Sequence, residues 1–251
     1  MGRVRHHRIA AATAAVVAAL AIGGCAGSAQ PPTPEPASPP PENIPASFDV
    51  TFRWLTGGVF DVFGQEGTFV RAFVESFELA NAGRSAEWGY RGFEDAAPSN
   101  IGQMVEFYPS ETTETNPGVG TAFFTGLRRV DKADWTRIVL CRYGYRSIKM
   151  TDGEWSIRLD APRPVEIDFR RSGVLPPGNT RGTARTPDGD VFGDWHVTRY
   201  DFAAVYPRTT ADEHACAAAA PAEVPSRLPG QTDSPWPPMP PDPGWWTSSP
   251  L

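Results

Sequence analysis

Proline sets the limits of what this 251-residue chain can fold into. Of its 27 prolines, eight fall in residues 31–45 and ten in residues 221–251. Proline has no backbone N–H to give to a helix or a sheet ladder, so neither stretch reads as regular structure. The first, Pro31-Pro32-Thr33-Pro34-Glu35-Pro36 onward, favours extended polyproline II and at about 3.1 Å per residue makes a spacer of at most roughly 50 Å. The last has no hydrophobic period and is expected to be a disordered tail, although Trp236, Trp245 and Trp246 are costly residues for a solvated end. Packed structure is thus expected in residues 47–220.

Ahead of the first proline run, Arg3, Arg5, His6, His7 and Arg8 precede an apolar run from Ile9 to Ile22, closed by Gly23-Gly24-Cys25. Fourteen apolar residues are too few to span a bilayer, which needs about 20, and they match a signal-peptide core. The stretch resembles a bacterial lipoprotein signal peptide ending in its lipobox. That resemblance implies removal of residues 1–24, lipid on Cys25, a stalk over residues 25–46 and a place on the extracytoplasmic face of the cell membrane. Ordinary secretion with cleavage nearby, or an uncleaved helix, is the alternative. Two or three acyl chains hold a protein stably, whereas one holds it marginally.

The chain carries a formal charge of −6, and loss of Arg3, Arg5 and Arg8 would leave 20 basic against 29 acidic residues. An acidic chain is a poor match for nucleic acid, which needs a basic footprint. Lys132 and Lys149 are the only lysines among many arginines, and with abundant alanine and the lipobox this is similar to lipoproteins of actinobacteria. With Cys25 assigned to lipid, Cys141 and Cys216 remain as an even pair in an oxidising compartment and are expected to form a disulfide. No CxxC spacing points to redox chemistry.

Phe48, Val50, Phe52 and Trp54 alternate with polar residues as in a half-buried strand. Phe69, Phe73, Phe77 and Ala80 then fall at helical spacing, with Thr68 as the expected N-cap and Gly83 as the stop. Residues 84–100 fit either a short helix or an aromatic loop. From Ile101 the chain reads as β: 101–108, 120–127, 135–143, 147–159, 165–170 and 191–202, with Asp152-Gly153 as a two-residue hairpin turn. Thr210-Ala211-Asp212-Glu213 has the form of a capping box, placing Cys216 on a short C-terminal helix clamped to a central strand through Cys141.

The expected fold is α+β: a curved antiparallel sheet with one long N-terminal helix and a short C-terminal one, a β-sandwich being the alternative. A long helix followed by strands, closing on Asp194-Trp195-His196-Val197-Thr198, resembles the NTF2-like cone over residues 68–202. The strand before the helix and the 172–190 insertion depart from that family. The resemblance implies either a binder or an enzyme, since fold does not fix activity.

Chemistry is sparse. His196 and His214 stand in no metal-binding spacing, and no GxSxG or SxxK motif is present. No cofactor or metal is expected. Asp188-Gly189-Asp190 onward has acids at calcium-loop positions one and three, but Phe192 and Arg199 stand where ligands belong; a turn into the last strand is the better reading. Asp152, Glu154, Glu166 and Asp168 read as solvated faces. Trp88, Tyr90, Phe93, Trp155 and Trp195 are either core or the lining of an apolar small-molecule pocket. The favoured reading is a non-catalytic lipoprotein that binds an envelope ligand or partner protein. The alternatives are an NTF2-like enzyme using His196 with Asp168 as acid and base, and a structural subunit of an envelope complex.

Overall fold

A computed structural model describes residues 43–107, 113, 116–202, 210–227 and 230–247. The signal stretch, Cys25 and most of the proline stalk lie outside them.

The chain is mixed α and β, built on a six-stranded, mostly antiparallel sheet with few helices. Strand β1 (Phe48–Trp54) leads through helix α1 (Gln65–Gly83), a 3-10 turn (Ala86–Trp88) and the short helices α2 (Phe93–Ala96) and α3 (Ile101–Phe107) to β2 (Gly118–Asp131). Long antiparallel strands follow: β3 (Thr136–Lys149) and β4 (Trp155–Arg170), then β5 (His196–Asp201), helix α4 (Ala211–Ala218) and β6 (Gln231–Thr232). The order is β1-β2-β3-β4-β5, with β1 parallel to β2 and β6 added to the start of β4. A helical crossover is what a parallel neighbour requires. The strands make one sheet among the described residues, not the two of a sandwich.

Several boundaries differ from the sequence reading for physical reasons. Helix α1 begins at Gln65 behind Gly64, because Thr68 is buried and spends its hydroxyl on Thr180 at 2.7 Å instead of capping. Ile101–Phe107 is helical, not a strand: Ile101 and Val105 are its buried residues and stand one turn apart, a spacing its alternating pattern concealed. Residues 155–170 form one continuous strand through Pro162 and Pro164. Strand β5 starts at His196 because Val191, Phe192 and Trp195 turn into the core first. The Asp152-Gly153 turn does join β3 to β4, with Gly153 at φ +91°.

One face of the sheet carries the main core. Phe52, Trp54, Phe124, Leu140 and Ile167 meet Phe69, Phe73 and Phe77 of α1. On the other face, Phe123, Cys141, Tyr143 and Tyr145 are covered by Cys216 of α4 and by Trp236 and Met239. Cys141 and Cys216 are joined in a disulfide, and α4 is capped by the full Thr210/Glu213 box.

The final segment corrects the expectation of a disordered tail. The indole N–H of Trp245 and the backbone of 231–245 find partners along the whole path: Trp236 N–H donates to Ser147 Oγ, and Met239 N–H to Thr121 Oγ1. Tyr145 donates to the Pro237 carbonyl and Thr51 to the Met239 carbonyl. The segment then rounds the β1 edge, where Trp54 N–H donates to the Asp242 carbonyl and Arg53 pairs with the Asp242 carboxylate. It ends with Trp245 bridged to Ala184 on the helix side, 1% exposed. Side-chain hydroxyls and an uncovered strand edge supply the hydrogen bonds that its prolines cannot make for themselves.

Candidate functional site

Two charged assemblies lie between α1 and the sheet. In the first, Arg71 and Glu75 stand one turn apart on α1, 0% and 1% exposed. The Glu75 carboxylate accepts from Trp54 Nε1 at 2.7 Å, from the Tyr90 hydroxyl at 2.5 Å and from Trp245 Nε1 at 2.7 Å. Arg71 donates to the Thr180 and Pro243 carbonyls, and its guanidinium lies 4.3 Å from the centre of the Trp245 ring. Burial pushes the Glu75 carboxyl above its usual range, with Arg71 and the three donors pulling the other way. The assembly is a buried polar lock that holds the C-terminal segment, and none of its groups faces solvent.

The second stands toward the other end of α1. Arg142, at the centre of β3, donates from Nε and Nη2 to both oxygens of Glu78, at 2.8 and 3.1 Å, and from Nη1 to Asp160 at 2.7 Å. Asp160 also accepts from Arg146 at 3.0 Å, and Arg163 approaches Glu78 at 3.7 Å. Burial alone would raise both carboxyls. The guanidiniums outweigh it, holding Glu78 below its ordinary value and Asp160 at about 2. Burial, then Glu78, pushes the neighbouring Tyr200 phenol up.

The acid–base pair of the alternative enzyme reading, His196 with Asp168, has its members on other partners. Arg137 takes both oxygens of Asp168, at 2.6 and 2.7 Å, on the outer face of the sheet. Beside it Glu166 is ringed by Arg128, Arg137 and Arg199, so these acids are paired rather than merely solvated. The His196 ring sits 3.2 Å from the Asp95 carbonyl. His214 is exposed on α4. In the 188–194 loop, Asp190 accepts from Phe192 N–H and Asp194 from Val174 N–H, as turns require. Among the described residues no three His, Cys, Asp or Glu converge as a metal site.

The aromatic residues put forward as pocket lining do different jobs. Tyr90 serves Glu75, Phe93 packs on Phe73, and Trp195 stacks on Phe169. Trp88 borders a shallow cleft of about 320 Å³ between Ser47 and Arg84. The charged residues on α1 carried no sequence signal beyond their spacing, since Arg71 and Glu75 look like an exposed i, i+4 pair. Comparison with family models, curated proteins and solved structures finds no match for this chain.

Proposed function

We propose that the chain is a lipid-anchored envelope protein whose folded domain binds an envelope ligand or partner. The leader ending in Ile22-Gly23-Gly24-Cys25 supports the anchor, and the proline run after it supports a spacer between membrane and domain. No helix among the described residues is long and apolar enough to cross a membrane; in this reading the attachment is lipid on Cys25.

The observation that carries the binding half is the arginine corner around Glu78, where Arg163 Nε is buried without a hydrogen-bond partner among the described residues, whereas the Trp245 lock closes the other charged assembly. A general acid or base has to come within hydrogen-bond reach of a substrate proton. Glu75 already holds three donors and is sealed by the chain's own C-terminal segment. In the NTF2-like reading an open cone would lie beneath α1, but at its N-terminal half Phe69 and Phe73 pack directly against Phe169, Phe192 and Tyr200. What this leaves toward solvent is paired surface charge and the arginine-rich corner around Glu78.

The anchor is tested by mass spectrometry of the membrane fraction and by Cys25→Ala. The expected result is a diacylglyceryl adduct on Cys25 and loss of the chain from membranes in the variant. An unmodified Cys25 in the mature protein overturns it.

A further inference from the structure

We infer that the corner of the sheet beneath the second half of α1 is an oxyanion site that takes a phosphate group, with Arg146, Arg158 and Arg163 as its donors. The inference deepens the binding reading and does not depend on the anchor.

The β3–β4 register sets Arg142 opposite Arg163 and Arg146 opposite Arg158, with Gly144 opposite Asp160 between them. Like charges directly opposite each other destabilise a sheet, and here two such pairs flank a single Gly144–Asp160 pair. Two carboxylates answer four guanidiniums. Arg142 takes both oxygens of Glu78 and one of Asp160, leaving Arg146 the other Asp160 oxygen. Arg163 is left with a 3.7 Å approach to Glu78, and its Nε is buried without a hydrogen-bond partner. Arg158 is exposed and forms no ion pair among the described residues.

A buried N–H with no acceptor costs free energy, and an excess of two positive charges in a chain of formal charge −6 is a local concentration against the overall sign. A phosphate supplies both missing items: acceptor oxygens for the guanidinium forks and negative charge for the excess. On the next strand Gly120 lies opposite Arg146 and Ala122 opposite Gly144, so no long side chain there competes with a ligand.

The same row crosses the sheet as Val50, Gly120, Arg146 and Arg158, two residues from the start of β1. The site therefore lies at the end of the sheet where the chain enters from the proline segment. Free phosphate and a phospholipid headgroup are both sources of the ligand at that end.

The test uses the full chain in neutral detergent, titrated calorimetrically at physiological salt with inorganic phosphate and with glycerophosphoglycerol, a headgroup diester without acyl chains. Binding of at least one probe is expected, weakened about tenfold or more by Arg163→Gln and by Arg158→Gln and unchanged by Arg199→Gln on the outer face. Preference for inorganic phosphate assigns a free phosphate, and preference for the diester a headgroup. Arg163→Gln relieves a like-charge pair and should keep the melting temperature; if it fails to fold, the exposed Arg158→Gln carries the test alone. Binding of neither probe, or binding that the corner variants leave unchanged, overturns the site. Because lipid on Cys25 is read separately, either result stands whether or not the anchor does.

Discussion

The Trp245 indole N–H donates to Glu75 across 170 residues of sequence, at 2.7 Å, while the ring above it covers Arg71. One side chain thus supplies a hydrogen bond to the buried acid and a cation–π partner to the buried base. Around it the C-terminal segment pairs with the free edge of β1, the end strand of the sheet.

Removing that ring should be among the most damaging changes in the protein. Trp245→Ala is expected to cost about 3–5 kcal/mol, the range for emptying a fully buried aromatic site. Trp245→Phe keeps apolar volume but leaves Glu75 one donor short and is expected to cost about 1–3 kcal/mol. Urea denaturation of the three proteins checks both. If Trp245→Ala unfolds at the same midpoint as the parent, the C-terminal segment is not part of the cooperative fold.

Acid stability should carry the signature of Asp160. Arg142 and Arg146 lower its folded pKa to about 2 from an ordinary 3.8. Between those values the unfolded chain binds more protons than the folded one, so this contribution is complete above pH 3.8 and fades as pH falls through 2. The linked free energy is about 2 kcal/mol. Stability measured by denaturant between pH 2 and 5 should rise with pH more steeply in the parent than in Asp160→Asn, and parallel curves would contradict the assignment.

What the sequence revealed follows the strength of local signals. The aromatic stripe of α1, the Asp152-Gly153 turn and the Thr210 capping box are decided by neighbours in sequence, and each lies in the structure within a few residues of its reading. The C-terminal segment was illegible because its hydrogen bonds go to Thr51, Thr121 and Ser147, more than 80 residues away. Its tryptophans were the one hint. The arginine corner was hidden for a related reason: Arg142, Arg146, Arg158 and Arg163 look like ordinary outward strand residues until the register sets them opposite each other.

The disulfide ties α4 to the second face of the sheet across a sequence separation of 75. Loop-closure entropy for that length gives about 4.5 kcal/mol, an upper figure because residual structure in the unfolded chain reduces it. Cys141→Ala with Cys216→Ala should therefore lower stability by about 2–4 kcal/mol in equilibrium unfolding. Both sulfurs are fully buried, so the native protein should resist alkylation after mild reductant. Rapid labelling of Cys216 without denaturant would show α4 to be detached from the sheet.

The end of α1 offers a change in the opposite direction. Gly83 is the last helical residue, but the left-handed position that usually selects glycine is the next one, where Arg84 sits at φ +56° and donates its N–H to the Ala80 carbonyl. Gly83 is needed for a different reason: a Cβ there would fall 2.1 Å from the Trp88 ring. The two positions should respond with opposite sign. Arg84→Gly relieves a left-handed side-chain clash worth about 1 kcal/mol and is expected to raise stability by somewhat less than that, since glycine gives the unfolded chain more freedom. Gly83→Ala drives Trp88 off the helix end and is expected to cost about 1–3 kcal/mol. Thermal unfolding of both variants decides it, and a gain in stability from Gly83→Ala would mean that Trp88 does not pack on the helix end.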